Sequence, residues 1–535
     1  MAGVALAGAP GTLTIGMSQF PPDMHPDVSA TSAKAYVEDA ALRPVVSFDM
    51  SGRVICILCT EVPTLANGLA EVVELPAGGK GMEVTFHLRS DLFWGDGVPV
   101  TAGDVAFAFK VEQTVGKSPN VTDVVAVDAH TVLMKLDATR YDYARLVPVP
   151  IAEHVEGKIL AAAKSPLDYE HASAFNTDPT NPGLWDGPYR ISNFVGNQSI
   201  TLVPNEYWKG RKPAWREIGT RLLENTATLE ANALSGDIDM ISSALGLTVN
   251  QAIGMQKDHP KGMTYYYEPT LAYEHLALNL DNPLLADRRV RQALLMAIDR
   301  KTIVNKLFAG TQPVAQSFLE PSQFGWHKDT PVWAYDLAGA KRKLAEAGFK
   351  PGTDGVLVSP KGERFEITLV TTAGNVQREL VEQVLQTEFK AIGVQVNIKN
   401  EPARTMFGQT LRQRNFTGMV MFTSVPPPDN VPYYAFDSAL IPTAANNWFG
   451  QNYMGYRSKA MDAALEAART ELDAKKRYAD WKTILDLYAE DLPELPLFFV
   501  AEPYIVPNTI MGVLPPKMRA FAPMWIEDWR QVGGG

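Results

Sequence analysis

Cysteine is almost absent: the 535 residues contain two, Cys56 and Cys59, in the stretch VICILCTEVP. Two thiolates supply half of a tetrahedral zinc site and no histidine pair lies nearby to complete it, so this C-x-x-C is not expected to hold a metal. Pro63 follows too closely for the helix that opens a thioredoxin-like redox motif. In an extended segment the two Cα atoms would stand about 10 Å apart, outside disulfide reach, and the pair reads as structural. Histidine is also scarce. His25, His87, His130, His154, His171, His259, His275 and His327 form neither H-x-H nor H-E-x-x-H, which removes the local metal motifs. No G-x-S-x-G elbow, Walker-type phosphate loop or G-x-G-x-x-G turn occurs, so neither a nucleophilic hydrolase nor a nucleotide enzyme is indicated, and no cofactor is expected. No apolar run approaches the roughly 18 to 20 residues of a membrane helix. Positive charge is in deficit, 49 Lys and Arg against 60 Asp and Glu, a net charge of -11. That disfavours a nucleic-acid partner, which would want a basic face for its phosphates, and direct binding to anionic lipid. No internal repeat or low-complexity segment is present.

What remains is a chain with 46% hydrophobic and 20% charged residues, globular in character and long enough for two or three domains. Its most informative stretch runs from Tyr273 to Asp299, YEHLALNLDNPLLADRRVRQALLMAID. Leu276, Leu278 and Leu280 recur at the two-residue period of a strand. After a turn at Asp281-Asn282-Pro283, Val290, Ala293, Leu294, Ala297 and Ile298 fall at helical spacing, with Arg288, Arg289, Arg291 and Gln292 on the expected solvated side. Asp299 can cap the next helix, which ends at Gly310. Earlier, Val84, Phe86 and Leu88 alternate as a strand, Gly95-Asp96-Gly97 turns, and Thr101 with Asp104 opens a helix in capping-box fashion. Residues 187 to 208 read as a hairpin that turns at Gly196-Asn197 and ends in Asn205, Tyr207 and Trp208. A helix over 226 to 234 leads into Gly236-Asp237-Ile238-Asp239.

The WGDG turn with its TAGDV helix, the GPY hairpin, the G-D-I-D turn and the RRVRQALLMAIDR helix together resemble the bacterial family 5 solute-binding proteins, the extracytoplasmic peptide-binding components of ABC importers. The resemblance implies an α/β, two-lobe periplasmic-binding-protein-like fold, type II, of the large cluster with an extra subdomain in lobe 1. Lobe 1 would comprise 10–44 with 185–267 and 501–535, the extra subdomain 45–184, and lobe 2 268–500. Two hinge strands, near 266 to 280 and 491 to 506, would join the lobes. It also implies export. The start MAGVALAGA is compatible with the cleavage end of a signal peptide but has no positive segment, and it reads as a trimmed mature start, with Gly533 to Gly535 a linker remnant. The implied partners are a peptide or other small-molecule ligand, an ABC permease and its ATPase subunits; a soluble, monomeric binder is expected, periplasmic or otherwise extracytoplasmic, with no catalytic role. Open alternatives are a non-peptide solute such as an opine, an oligosaccharide or a metal chelate, and a sensor co-receptor without import.

In lobe 2, Phe365, Ile367 and Leu369, a helix starting at Asn375, and Val394, Val396 and Ile398 predict a strand, helix and parallel strand. Tyr478, Trp481, Leu485 and Tyr488 share one helical face and read as core. The segment from Thr423 to Tyr456 is broken by prolines and glycines and rich in aromatic side chains that a binding cleft can use. Ser424, Asn446, Asn447, Trp448, Phe449 and Tyr453 are therefore candidate ligand contacts. The resemblance adds Met17 and Gln19, at the loop that borders the cleft. Aligned on Pro428-Asp429-Asn430 and Asn452-Tyr453, the family's ammonium-binding aspartate falls on Ser424. Unless another carboxylate replaces it, with Asp429 and Asp437 the nearby candidates, ligands with a blocked or absent α-amine are expected to be preferred.

Overall fold

The computed structural model describes residues 10–28, 31–49, 51–115, 121–243, 245–426, 429, 431–446, 448–515 and 522–532. The expected signal-peptide remnant at 1–9 and glycine tail at 533–535 lie outside the described residues, as do Pro428, Asn430 and Asn447. The chain forms two compact units, Met1–Glu268 with Glu502–Gly535, and Pro269–Ala501. Two strands, Met263–Leu278 and Glu494–Pro507, carry the chain from one unit to the other.

In the first unit the buried strand Thr12–Met17 runs parallel to Glu217–Leu222 on one side and to Met240–Ile241 on the other. The expected hairpin is present, Tyr189–Val195 with Ser199–Pro204, and it extends this sheet through Glu217–Leu222. The helix Thr226–Ser235 ends on Gly236, whose left-handed backbone closes its last turn. Leu229 of this helix and Ile238 lie so close to the first strand that a Cβ on Gly16 would come within 2.6 Å of their terminal methyl groups, which would have to move aside. Asp239 then accepts the Thr14 amide at 2.7 Å, which locks the G-D-I-D turn onto the strand.

A separate four-stranded antiparallel sheet, in the order Ala70–Glu74, Lys80–His87, Thr131–Leu136 and Val121–Ala126, accompanies the helix Ala102–Val115. Asp104 accepts the Thr101 amide at 2.8 Å and the Thr101 hydroxyl at 3.1 Å, as the motif suggested. Trp94 is fully buried, and Asp96 accepts the Val98 amide within its turn while lying 2.9 Å from the His154 ring.

The cysteines correct the sequence expectation. Cys56 ends a strand, Val54–Cys56, and does not continue it. The chain folds back at once, with the amides of Ile57 and Leu58 both donating to the Val45 carbonyl, and Cys56 and Cys59 come within 5.0 Å at Cα and form a disulfide. The extended spacing assumed for C-x-x-C does not hold once the strand stops inside the motif.

The second unit carries the expected strand, helix and parallel strand: Glu366–Thr372, Val376–Ala391 with Asn375 at its cap, and Gln395–Glu401. Met419–Ser424 lies parallel to the first of these and antiparallel to Met263–Leu278, which occupies nearly the span of the crossing strand expected near 266 to 280. On the helix Arg288–Ala297 the polar face is not solvated throughout. Arg291 and Gln292 are buried: Arg291 donates to the carbonyls of Leu285, Ala286, Asp491 and Leu492, and Gln292 to that of Glu490. Three of these carbonyls belong to the C-terminal end of Ala474–Asp491, where a helix leaves acceptors unsatisfied. On that same helix Trp481, Leu485 and Tyr488 are core, whereas Tyr478 is exposed and stacks on His327 at 3.9 Å.

The disulfide closes a loop of four residues, for which chain entropy alone gives about 2 kcal/mol. Replacing both cysteines with serine is expected to lower the unfolding free energy by about 2 kcal/mol, and with it the thermal midpoint, while leaving ligand affinity within about threefold, checked by calorimetric melting and titration side by side.

Candidate functional site

The strand Met419–Ser424 pairs with the second-unit half of Met263–Leu278 in a register that sets Ser424 opposite Tyr273, Thr423 opposite Glu274 and Phe422 opposite His275. Alternation then divides the pair into two faces. On one face the guanidinium of Arg378, from the first turn of Val376–Ala391, donates to Glu274 Oε1 at 2.8 Å, Glu274 Oε2 at 3.2 Å, Thr423 Oγ1 at 2.8 Å and Thr372 Oγ1 at 3.0 Å. A fork so occupied positions strands and has little left for a ligand.

The other face holds Tyr273, His275, Phe422 and Ser424, backed by Glu494 and Tyr488. Tyr273 and Tyr488 donate to Glu494 Oε1 at 2.8 and 3.3 Å, and the His275 ring stands 3.4 Å from Oε2. Burial pushes the Glu494 carboxyl up to about 7, against the lowering effect of the two phenols, and pushes the His275 imidazole down to about 3. Above this layer, Phe407 and Tyr453 meet Phe422 edge to face, each at 6.2 Å. Phe407 is exposed and Tyr453 half-buried, so the aromatic surface beside half-exposed Ser424 is partly open to solvent. It offers apolar faces with hydroxyl edges, the surface a small organic solute uses.

The other candidates are placed differently. Asn446 uses its side chain on its own turn, accepting the Thr443 amide at 2.8 Å and donating to the Ile441 carbonyl at 2.9 Å. Trp448 is half-buried with a left-handed backbone, φ 59°, and Phe449 is exposed, 6.4 Å from the Tyr434 ring. Asn447 is outside the described residues. In the first unit Met17 is buried at the end of its strand and Gln19 is exposed just beyond it. Neither nearby carboxylate stands free to replace the aspartate absent at Ser424. Asp429 pairs with Arg477 at 3.2 Å, and Asp437 caps the turn at Ala439. Among the described residues no group of three or more His, Cys, Asp or Glu side chains could hold a metal ion.

Sequence reading missed the residues that hold this surface in place. Asn452 is fully buried and ties the loop through the carbonyls of Asp437 and Tyr456 and the amide of Tyr456. Glu494 left one usable signal, an acid at the head of an apolar strand run, ELPLFFV.

Comparison with known proteins gives a consistent picture. Residues 65–443 match the family model described as bacterial extracellular solute-binding proteins, family 5 Middle. The oligopeptide-binding protein AppA of Bacillus subtilis is 26% identical over 95% of this chain and 90% of its own. The oligopeptide binding protein of Thermus thermophilus, solved with a pentapeptide, superposes with a TM-score of 0.78 at 27% identity, covering 98% of this chain and 97% of that one. NikZ of Campylobacter jejuni, solved with Ni(L-His), superposes with a TM-score of 0.76 at 21% identity over 97% of this chain and 99% of that one, a likeness of fold.

The buried pair predicts a pH response of stability. A carboxyl raised from 4.5 to about 7 on folding ionises first in the unfolded chain, so Glu494 costs stability as pH rises from about 4.5, fully so above about 7. His275, lowered from 6.5 to about 3, costs stability as pH falls below 6.5. Glu494→Gln is therefore expected to melt like the wild type near pH 4.5 and to be more stable by on the order of 2 kcal/mol near pH 8. Equal differences in thermal melts at both values would refute the assignment.

Proposed function

Because the chain belongs to the bacterial extracellular solute-binding proteins of family 5, we propose that it captures a peptide or peptide-like solute and delivers it to a membrane permease driven by ATPase subunits. The observation that carries this reading is the likeness to a pentapeptide-bound structure over nearly the full length of both chains. The role is capture, not chemistry. The half-open aromatic surface around Tyr453 and Ser424 would supply the contacts of the second unit, and exposed Gln19 is a candidate contact of the first. The protein works outside the cytoplasm as a monomer. The Cys56–Cys59 disulfide supports that location, since such bonds persist in oxidising compartments.

Ser424 favours a second reading. Without a carboxylate at that position the surface suits a solute that brings no α-ammonium there, such as an opine, an oligosaccharide or a metal chelate.

Ligand capture by two units joined through two strands requires contacts with both, so binding is expected to draw them together. A thermal-shift screen over tri- to pentapeptides, glycans, opines and metal chelates should yield a solute that stabilises the protein by about 2.7 kcal/mol at a hundred times its dissociation constant. The same solute should reduce the radius of gyration in solution scattering. A bound solute that leaves the scattering curve unchanged would count against closure, and stabilisation by glycans or chelates alone would favour the second reading.

A further inference from the structure

The strand Glu494–Pro507 carries a second acid in its apolar run, Glu502, in the half that belongs to the first unit. The same unit's parallel strands, Thr12–Met17 and Met240–Ile241, point their C-terminal ends at the segment that begins with Ser242 and Ser243. Crevices outside the carboxyl ends of parallel strands are where open α/β sheets take ligands. Glu502 lies at this end: the short strand Met240–Ile241 pairs antiparallel with Glu494–Pro507 at Ile241 and Ile505, which brings the chain around Glu502 back alongside Ser243.

Glu502 keeps part of its surface open, yet the atoms crowded round its carboxyl push it up to about 7. The Ser243 hydroxyl stands near enough to favour the ionised form without completing a hydrogen bond to it. Ser242 and Ser243 are both buried, and their hydroxyls reach no hydrogen-bond partner. Tyr504, two residues along and on the same face as Glu502, has its phenol pushed up first by burial and then by the charge of Glu502, with Glu268 of the other crossing strand a weaker contributor. Among the described residues no lysine, arginine or histidine forms an ion pair with Glu502 or Glu268. A crowded carboxylate with no ion-pair partner among the described residues, beside two unsatisfied hydroxyls, is a group that a positively charged hydrogen-bond donor would complete.

We propose that Glu502, with Ser243 and Tyr504 beside it in the first unit, receives an ammonium group of the bound solute. The proposal rests on the peptide reading and narrows it to peptides with an accessible ammonium. An ammonium has three donors, which suits one carboxylate and a neighbouring hydroxyl. Two sources share this chemistry, the α-amine and a lysine side chain.

Titration calorimetry with pentapeptides decides the matter. Each is prepared with a free or acetylated N-terminus, and with lysine or norleucine in its interior, and is titrated into wild type and Glu502→Gln. Gln keeps the shape of the side chain, and far-UV circular dichroism confirms the fold. Wild type is expected to prefer one ammonium-bearing form by about tenfold or more, and Glu502→Gln to reduce that preference to within about threefold. The arm that loses its preference identifies the α-amine or the lysine as the source. A preference that survives in Glu502→Gln, or wild type that binds blocked and free peptides equally well, overturns the role of Glu502 and leaves the peptide reading standing. Wild type that binds none of the peptides overturns the peptide reading and this proposal with it.

Discussion

A strand that passes from one unit to the other is buried along most of its length, and Glu494–Pro507 is such a strand. An ionisable group buried on it must find its partners within the protein or remain neutral. Glu494 does so through two phenols and an imidazole, and its raised pKa is the mark of that burial. Glu502 finds hydroxyls but no cation. The difference separates an acid that belongs to the packing from one whose surroundings are incomplete.

The same constraint governs the cations. Arg291 and Arg300 are buried and spend their donors on backbone carbonyls. Arg300 reaches the carbonyls of Pro496 and Trp333, and burial holds it down to about 10. Arg378 is consumed by Glu274 and two threonines. These guanidiniums hold helices and strands in register. Beside Ser424 the second unit presents aromatic rings and hydroxyls, with the exposed Arg412 as a positive charge near Tyr453.

The loop that follows Ser424 shows how an irregular segment is kept in place. Asn452 is buried at its far end and Asn446 folds its own turn, while Asp281 receives Arg457 at 2.7 Å and Arg414 at 2.6 Å. The aromatic residues between these anchors divide accordingly. Tyr453 is drawn against Phe422, Phe449 remains exposed, and Trp448 takes a left-handed backbone that its short turn requires.

Local patterns determined much of the architecture by themselves. The helix starts at Asp299 and Asn375, the alternation of Ile367 and Leu369, and the Thr101 with Asp104 start all depend on residues within a few positions of one another, and each appears as read. The family resemblance was legible for the same reason, since its motifs are compact turns and caps. What depended on distant residues was not legible. Arg291 looked solvated until carbonyls two hundred positions away came to meet it, and Cys56 looked out of reach of Cys59 until Val45 turned the chain between them. Asn446 and Phe449 stand in the same sequence neighbourhood, yet one serves its own turn and the other faces solvent. Side-chain periodicity records which face of an element is apolar, whereas the partner of a buried polar group is chosen only when separate strands and helices pack, and for Glu494 and Glu502 that packing is what distinguishes them.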